Sequence, residues 1–234
     1  MTAEAPSGPQ IIESGEVLRH LARDRALRGH TYRNLSLPGL RIERGDFANA
    51  TFERVTMQDA ELDRADLSRV TFRQSDLRRG HLPGVLLARS TLTDCDLTEV
   101  VLVDGILEHN DWHRVQLANV DLTGAKLVAC RFLGCNTYGM KAPHAVLIRC
   151  TFHDPAPNAA AELTRANFSN ATLIECQLSG ANLIRANFSN ALVVRCNFAG
   201  AILTGAQVEG AKFVGCNFTG TDLPDGLRGT LAGC

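Results

Sequence analysis

From Tyr32 onward the chain returns to a large apolar residue at every fifth position: Leu37, Ile42, Phe47, Phe52, Met57, Leu62, Leu67, Phe72, and so on to Trp112 and Phe132. The series lapses at Thr137 and Ala142, resumes at Leu147 and Phe152, gains one residue within HDPAPNAAAEL, and runs again from Leu163 to Leu223. Helices repeat their apolar positions every 3.6 residues and strands every two, so neither accounts for the pattern. All 10 phenylalanines fall on this one position. Calling it i, a small side chain stands at i−2, as in Ala50, Ala60, Ala65, Ala166, Ala181 and Ala201, with Asp, Asn or Thr between the two. Glycine recurs at i+2, as at 180, 200, 205 and 220.

The unit reads A(D/N)LxG, as in AELTRANFSNATLIECQLSGANLIRANFSN, and in this it resembles the pentapeptide repeat family over residues 30–154 and 161–224. The resemblance implies an all-β fold, a right-handed quadrilateral parallel β-helix with one pentapeptide per side and four per turn; five residues then make one edge and one corner, with i and i−2 inward, i−1 and i+1 outward, and i+2 at a corner whose positive φ suits glycine. Units that bury no core alone must stack on their neighbours, and the length of the series predicts roughly nine turns.

The expected organisation is a flexible N-terminus at 1–13, a capping helix at 14–29, the β-helix at 30–225 interrupted by a loop at about 153–161, and a tail at 226–234. The helix reading rests on SGEVLRHLARDRALR, with Ser14 as N-cap, Val17, Leu18 and Leu21 on one side and Gly29 as stop. Its expected role is a lid on the first turn, because an open solenoid end exposes apolar core and strand edges. Prolines 155 and 157 cannot join a hydrogen-bonded ladder, hence the loop. Pro224 should end the pairing, with Leu227 and Leu231 against the last turn.

Composition narrows the function. With 24 basic and 25 acidic residues, net charge −1, the chain lacks the basic excess of a nucleic-acid binder. MTAEAPSGPQ lacks the positive region of a secretory signal and no apolar run reaches a membrane span, so a cytoplasmic location is expected. Of the 8 cysteines, Cys95, Cys130, Cys135, Cys150, Cys176, Cys196 and Cys216 occupy i−2. Cys176, Cys196 and Cys216 should stack, joined by Cys95 and Cys135 if HDPAPNA replaces one unit; buried, reduced thiols are expected rather than a metal site. No phosphate loop, nucleophile elbow or zinc motif is present. In HNDWH, His109, Asp111 and His113 lack a third strong ligand, and a convex prism offers no concave pocket. No catalytic, cofactor or metal residue is therefore assigned, and the chain reads as a non-enzyme.

Outward apolar residues mark a candidate interaction surface: Leu86, Ile106, Val146, Val128 and Ile148 on one face, and Leu133, Ile174, Val194 and Val214 with Leu192 on the next. His153, Asp154, Pro155, Pro157 and Asn158 form a candidate recognition loop. The corner arginines Arg44, Arg54, Arg64, Arg69, Arg79 and Arg89 lie among acids, as in a solvated mixed-charge surface. The expected function is a rigid scaffold docking a protein partner, or a second copy as a homodimer, with no direct nucleic-acid or membrane partner. The resemblance implies an alternative, DNA mimicry that protects DNA gyrase or topoisomerase IV in antibiotic resistance. That reading requires Asp46, Asp66, Asp76, Asp96 and Asp121 to segregate from the arginines. A further alternative by resemblance is an accessory or effector of a bacterial secretion system.

Overall fold

A computed structural model describes residues 8–23, 26–153 and 160–228. In chain order the elements begin with β1 (Ile11–Ile12), α1 (Gly15–Arg23), β2 (Thr31–Arg33), β3 (Thr51–Glu53), β4 (Thr71–Arg73), β5 (Leu86–Ala88), β6 (Thr91–Thr93), β7 (Ile106–Glu108) and β8 (Asp111–His113). They continue with β9 (Lys126–Val128), β10 (Arg131–Leu133), β11 (Val146–Ile148), β12 (Thr151–His153), β13 (Thr172–Ile174), β14 (Leu192–Val194), β15 (Lys212–Val214) and α2 (Asp225–Arg228). All strand pairs are parallel and in register, Tyr32 on Phe52 and Phe52 on Phe72, for example. The result is a four-sided parallel β-solenoid of about 10 turns.

Two of the four sides carry sheets. On the first side β1, β2, β3, β4, β6, β8, β10 and β12 pair in that order; on the fourth, β5, β7, β9, β11, β13, β14 and β15 do. Elsewhere one bridge per turn joins neighbours at i−1. The residue at i−1 goes far towards deciding which form appears. Where it is threonine, as at Thr31, Thr51, Thr71 and Thr91, the β-branched side chain favours a strand. Where it is Asp or Asn, the side chain bends back to accept the N–H of i+1, as Asp46 does from Ala48, Asp66 from Ser68 and Asn187 from Ser189, at 2.8–3.0 Å. That local bond competes with the ladder. The fourth-side sheet accordingly begins where Asp66 gives way to Leu86; the first-side sheet ends where Thr151 gives way to Gln177.

Each side turns into the next at i+2, and every such described residue from Asn34 to Gly220 has positive φ, including non-glycines such as Arg89 (56°) and Ala129 (52°). Inside, the i residues fill the shaft. Rings stack down the first side with centroids 4.9 Å apart for Tyr32 and Phe52, 4.6 Å for Phe52 and Phe72 and 4.7 Å for Phe132 and Phe152, which is the spacing of paired strands. Trp112 is completely buried, and its indole Nε1 has no hydrogen-bond partner. The two small positions Thr137 and Ala142 lie in the following turn, so the excess volume of the indole and the deficit below it occupy adjoining layers. Met140, exchanged into an i−2 slot, is fully buried there, and the Thr137 hydroxyl donates to the Glu162 carbonyl at 2.5 Å.

The step between stacked residues is 20 everywhere except across 154–159, where Val146 pairs Thr172 and Thr151 bridges Gln177. The excursion therefore contributes no unit to the wall. This changes the cysteine columns. Cys130 and Cys150, not Cys95 and Cys135, stand over Cys176, Cys196 and Cys216: the Cys150 thiol donates to the Leu127 carbonyl, Cys176 to Leu147 and Cys216 to Val193, each 3.5–3.6 Å. Cys95 and Cys135 sit one corner away, with Cys135 donating to the Trp112 carbonyl. Ser90 and Asn110 head the five-cysteine column and make the same bond, to the Leu67 and Leu87 carbonyls at 2.7 and 2.6 Å. A small donor at i−2 thus satisfies a wall carbonyl one turn back.

The ends also differ from expectation. The helix is Gly15–Arg23, with Ser14 as N-cap through its hydroxyl to the Val17 N–H (3.5 Å), and the chain has left the helix by Ala26. Leu18 is buried while Val17 is 43% exposed, so the apolar face is Leu18 with half-buried Leu21 and Ala22. Ile11 and Ile12, in a segment expected to be flexible, pair with Thr31 and Tyr32 and extend the first sheet above the first turn. At the other end the tail forms a helical turn, α2, whose Leu227 is buried; Leu231 and Cys234 lie outside the described residues. No helix among the described residues is long and apolar enough to cross a membrane.

Candidate interaction face

The fourth side gathers the apolar outward residues into two adjacent columns. One reads Leu86, Ile106, Lys126, Val146, Thr172, Leu192 and Lys212; the other Ala88, Glu108, Val128, Ile148, Ile174, Val194 and Val214. The expectation of two faces is corrected. Because the excursion takes no unit, Ile148 stacks on Ile174, and nine of the ten predicted residues share one side. Leu133 does not: it lies on the first side between His113 and His153. Leu86, Ile106, Leu192 and Val214 are exposed and the rest are half-buried. From β11 to β14 the two columns carry only Val, Ile, Leu and Thr, a flat patch without a charge. Lys126 and Glu108 close it above, ion-paired at 3.1 Å, and Lys212 closes it below.

On the repeat wall one exposed large apolar side chain was missed. Ile202, 44% exposed, stands at i−1 of the second side. The sequence signal was present, since most i−1 positions of that side hold Asp, Asn, Gln, Ser or Thr.

Outside this face a number of charges are paired along the wall. Arg33 meets Glu53, Arg79 meets Asp59, Arg41 meets Glu61 and Arg195 meets Glu175, at 2.6–3.0 Å and 20 residues apart. The hydrogen bond from Arg79 holds the Asp59 carboxyl below the usual range, and Arg114 does the same for Asp94. Burial pulls Asp76 up, but hydrogen bonds from Arg78 and Gln58 outweigh it and its pKa is lowered. Asp46, Asp66, Asp76, Asp96 and Asp121 all accept the N–H two residues on, so they serve as turn-forming groups. In HNDWH, Asp111 is taken by Arg131, and no group of three His, Cys, Asp or Glu able to hold a metal occurs among the described residues. The thiols are protected by burial, which raises Cys95 to about 11. Within the column the neighbouring Cys130 and Cys176 thiols, together with burial, push Cys150 up. Of the candidate loop, Asp154, Pro155, Pro157 and Asn158 lie outside the described residues, and the backbone of His153 closes β12. The surface is not wholly convex: concavities of about 520 Å³ and about 600 Å³ lie beside the first and last turns.

Comparison with known proteins agrees with this geometry. Among solved structures, a trypsin-treated variant of QnrB1, a plasmid-mediated fluoroquinolone resistance protein, superposes with a TM-score of 0.53 at 18% identity over 78% of this chain and 91% of that one. HetL, a pentapeptide repeat protein involved in heterocyst differentiation regulation from the cyanobacterium Nostoc sp., is 22% identical over 92% of this chain and 94% of its own, with a TM-score of 0.44. A search of curated proteins returned no match. The model of the pentapeptide repeat region matches residues 65–142, and that of pentapeptide repeats (8 copies) matches 42–74, 161–200 and 194–225. With well over half of its length so matched and its wall built as the repeat requires, the chain belongs to the pentapeptide repeat proteins.

Proposed function

We propose that the chain is a non-enzymatic scaffold whose fourth side docks a protein partner. The observation that carries this reading is the uncharged patch of Val146, Ile148, Ile174, Leu192 and Val194, held in register on a rigid wall. Docking such a surface desolvates apolar groups and strands few ions, and a preformed sheet loses little conformational freedom on binding. The partner face that fits is flat and apolar at its centre, with an acidic group opposite Lys212. A photocrosslinking residue at Leu192, compared with one at Asn182 on the second side, tests it in native extract. A discrete adduct from position 192 alone, abolished by Val194→Glu, is expected. Equal adducts from both positions, or none, would reject the fourth side.

The fold likeness to QnrB1 favours a second reading, protection of a type II topoisomerase by imitation of duplex DNA. Mimicry needs a continuous negative field, and here many of the acids are paired with arginines or bound into turns, and arginines stand among them. A gyrase supercoiling assay with a fluoroquinolone separates the readings: the docking reading expects neither inhibition nor protection at micromolar protein.

A further inference from the structure

The lid on the first turn is incomplete. Helix α1 approaches the second side closely, so that a Cβ on Gly15 would lie 3.0 Å from the Leu37 side chain, and it buries Leu18 completely. On the third side the cover fails. Leu37 and Leu40 are buried, but Ile42, an inward residue of the shaft, is left half-exposed. A groove of about 520 Å³ opens there, between Arg19, Ala22 and Arg23 of the helix and Leu40, Arg41 and Ile42 of the first turn. Its floor is apolar, and three arginines line it. Arg19 and Arg23 are one helical turn apart and therefore share a face. Neither has an ion-pair partner among the described residues, and only Arg41 has one, Glu61 at 3.0 Å.

We propose that this groove binds a small organic anion with an apolar body, an alkyl or aryl carboxylate or sulfonate, independently of what the fourth side docks. The two halves of that chemistry answer two features of the site. A planar guanidinium gives parallel N–H donors to a carboxylate or sulfonate, and the like charges of Arg19 and Arg23 are relieved by an anion beside them. The apolar body covers Ile42 and completes the seal that the helix leaves open. The volume falls within the ordinary range of small-molecule sites. A purely inorganic anion leaves the floor wet, and a neutral hydrocarbon leaves the arginines unneutralised.

The probe is 8-anilinonaphthalene-1-sulfonate, titrated into the full chain and followed by fluorescence, with octanoate and its neutral counterpart octanol as competitors. One saturable site per chain is expected, displaced by octanoate at concentrations at least tenfold lower than octanol. Arg19→Gln with Arg23→Gln should weaken binding at least tenfold. Ala22→Trp, which keeps both arginines and fills the groove, should weaken it similarly, and both variants should melt as the parent does. Unchanged affinity in the two variants, as binding at the apolar residues of the last turn would give, overturns the proposal. So does equal displacement by octanol, or no saturable binding.

Discussion

The corner residue at i+2 bears the largest local strain of the fold. A left-handed backbone costs a residue with a Cβ about 1–2 kcal/mol, yet arginine, asparagine or aspartate fills many corners, their side chains joined to the turn above or below, as Arg79 is to Asp59. Ala129 makes no such side-chain link possible, and it keeps the strained φ of 52°. Ala129→Gly should therefore raise stability, by up to about 1 kcal/mol after the greater chain entropy of glycine is counted. Gly124→Ala should do the reverse. Its φ is 69°, and a Cβ there would meet Asp104 Oδ1 at 2.3 Å, so a loss of at least about 1 kcal/mol is expected. Urea unfolding of the two variants checks both signs. The cysteines answer to a different demand, a small inward donor for a wall carbonyl, which is why Ser75, Ser90 and Asn110 occupy the same kind of slot.

At the scale of the element, each side is narrow and gains its order from the turns above and below. The charged rungs add to this through carboxylates whose pKa values are lowered, those of Asp59, Asp94 and Asp111 by the arginines one turn away. A carboxyl with a depressed folded pKa contributes stability above its unfolded value, near 4, and loses it as pH falls through the folded value. The melting temperature should thus stay level from pH 8 to 5 and fall below about pH 4. Asp59 and Asp94 are solvent-facing, so each contributes little and salt should flatten the fall. Asp94→Asn should make the acid limb shallower, measured by melting in low-salt buffers; an unchanged limb would show that the rungs are ornamental. The uncharged stretch from β11 to β14 has no such acid dependence of its own, consistent with a surface meant for contact.

Over the whole molecule the core is one continuous shaft, and a repeat array transmits damage to its neighbours. Phe198 is fully buried between Phe188, Phe213 and Phe218. Phe198→Asp buries an unpaired charge and should cost more than about 4 kcal/mol, melting the last turns at least. Thr219→Asp, one turn on and facing water, should lie within about 0.5 kcal/mol of the parent. Thermal unfolding by circular dichroism compares them, and similar midpoints would contradict the inward and outward assignment.

The five-residue period by itself determined that one large and one small residue recur in every unit and where the corner glycines fall, and the family resemblance it carries implied the four-sided parallel wall, the inward phenylalanines and the stacking of Cys176, Cys196 and Cys216, since local volume and backbone sterics repeat without interruption. The i−1 residues account for part of the choice between strand and turn, Asp and Asn competing with the ladder as acceptors for the N–H of i+1, although Asp111 stands inside a strand. What only the tertiary structure decided lies where the repeat is broken. Whether residues 154–159 stand for a unit is a question of which turn meets which, and its answer moved Cys130 and Cys150 into the column and placed Ile148 on Ile174. That gathered two supposed faces into one and left Leu133 on another side. The pairing of Ile11 and Ile12, the short reach of α1 and the gap over Ile42 were likewise beyond the pattern. They depend on how an irregular segment settles on the open end of a shaft, where packing between distant residues outweighs local preference.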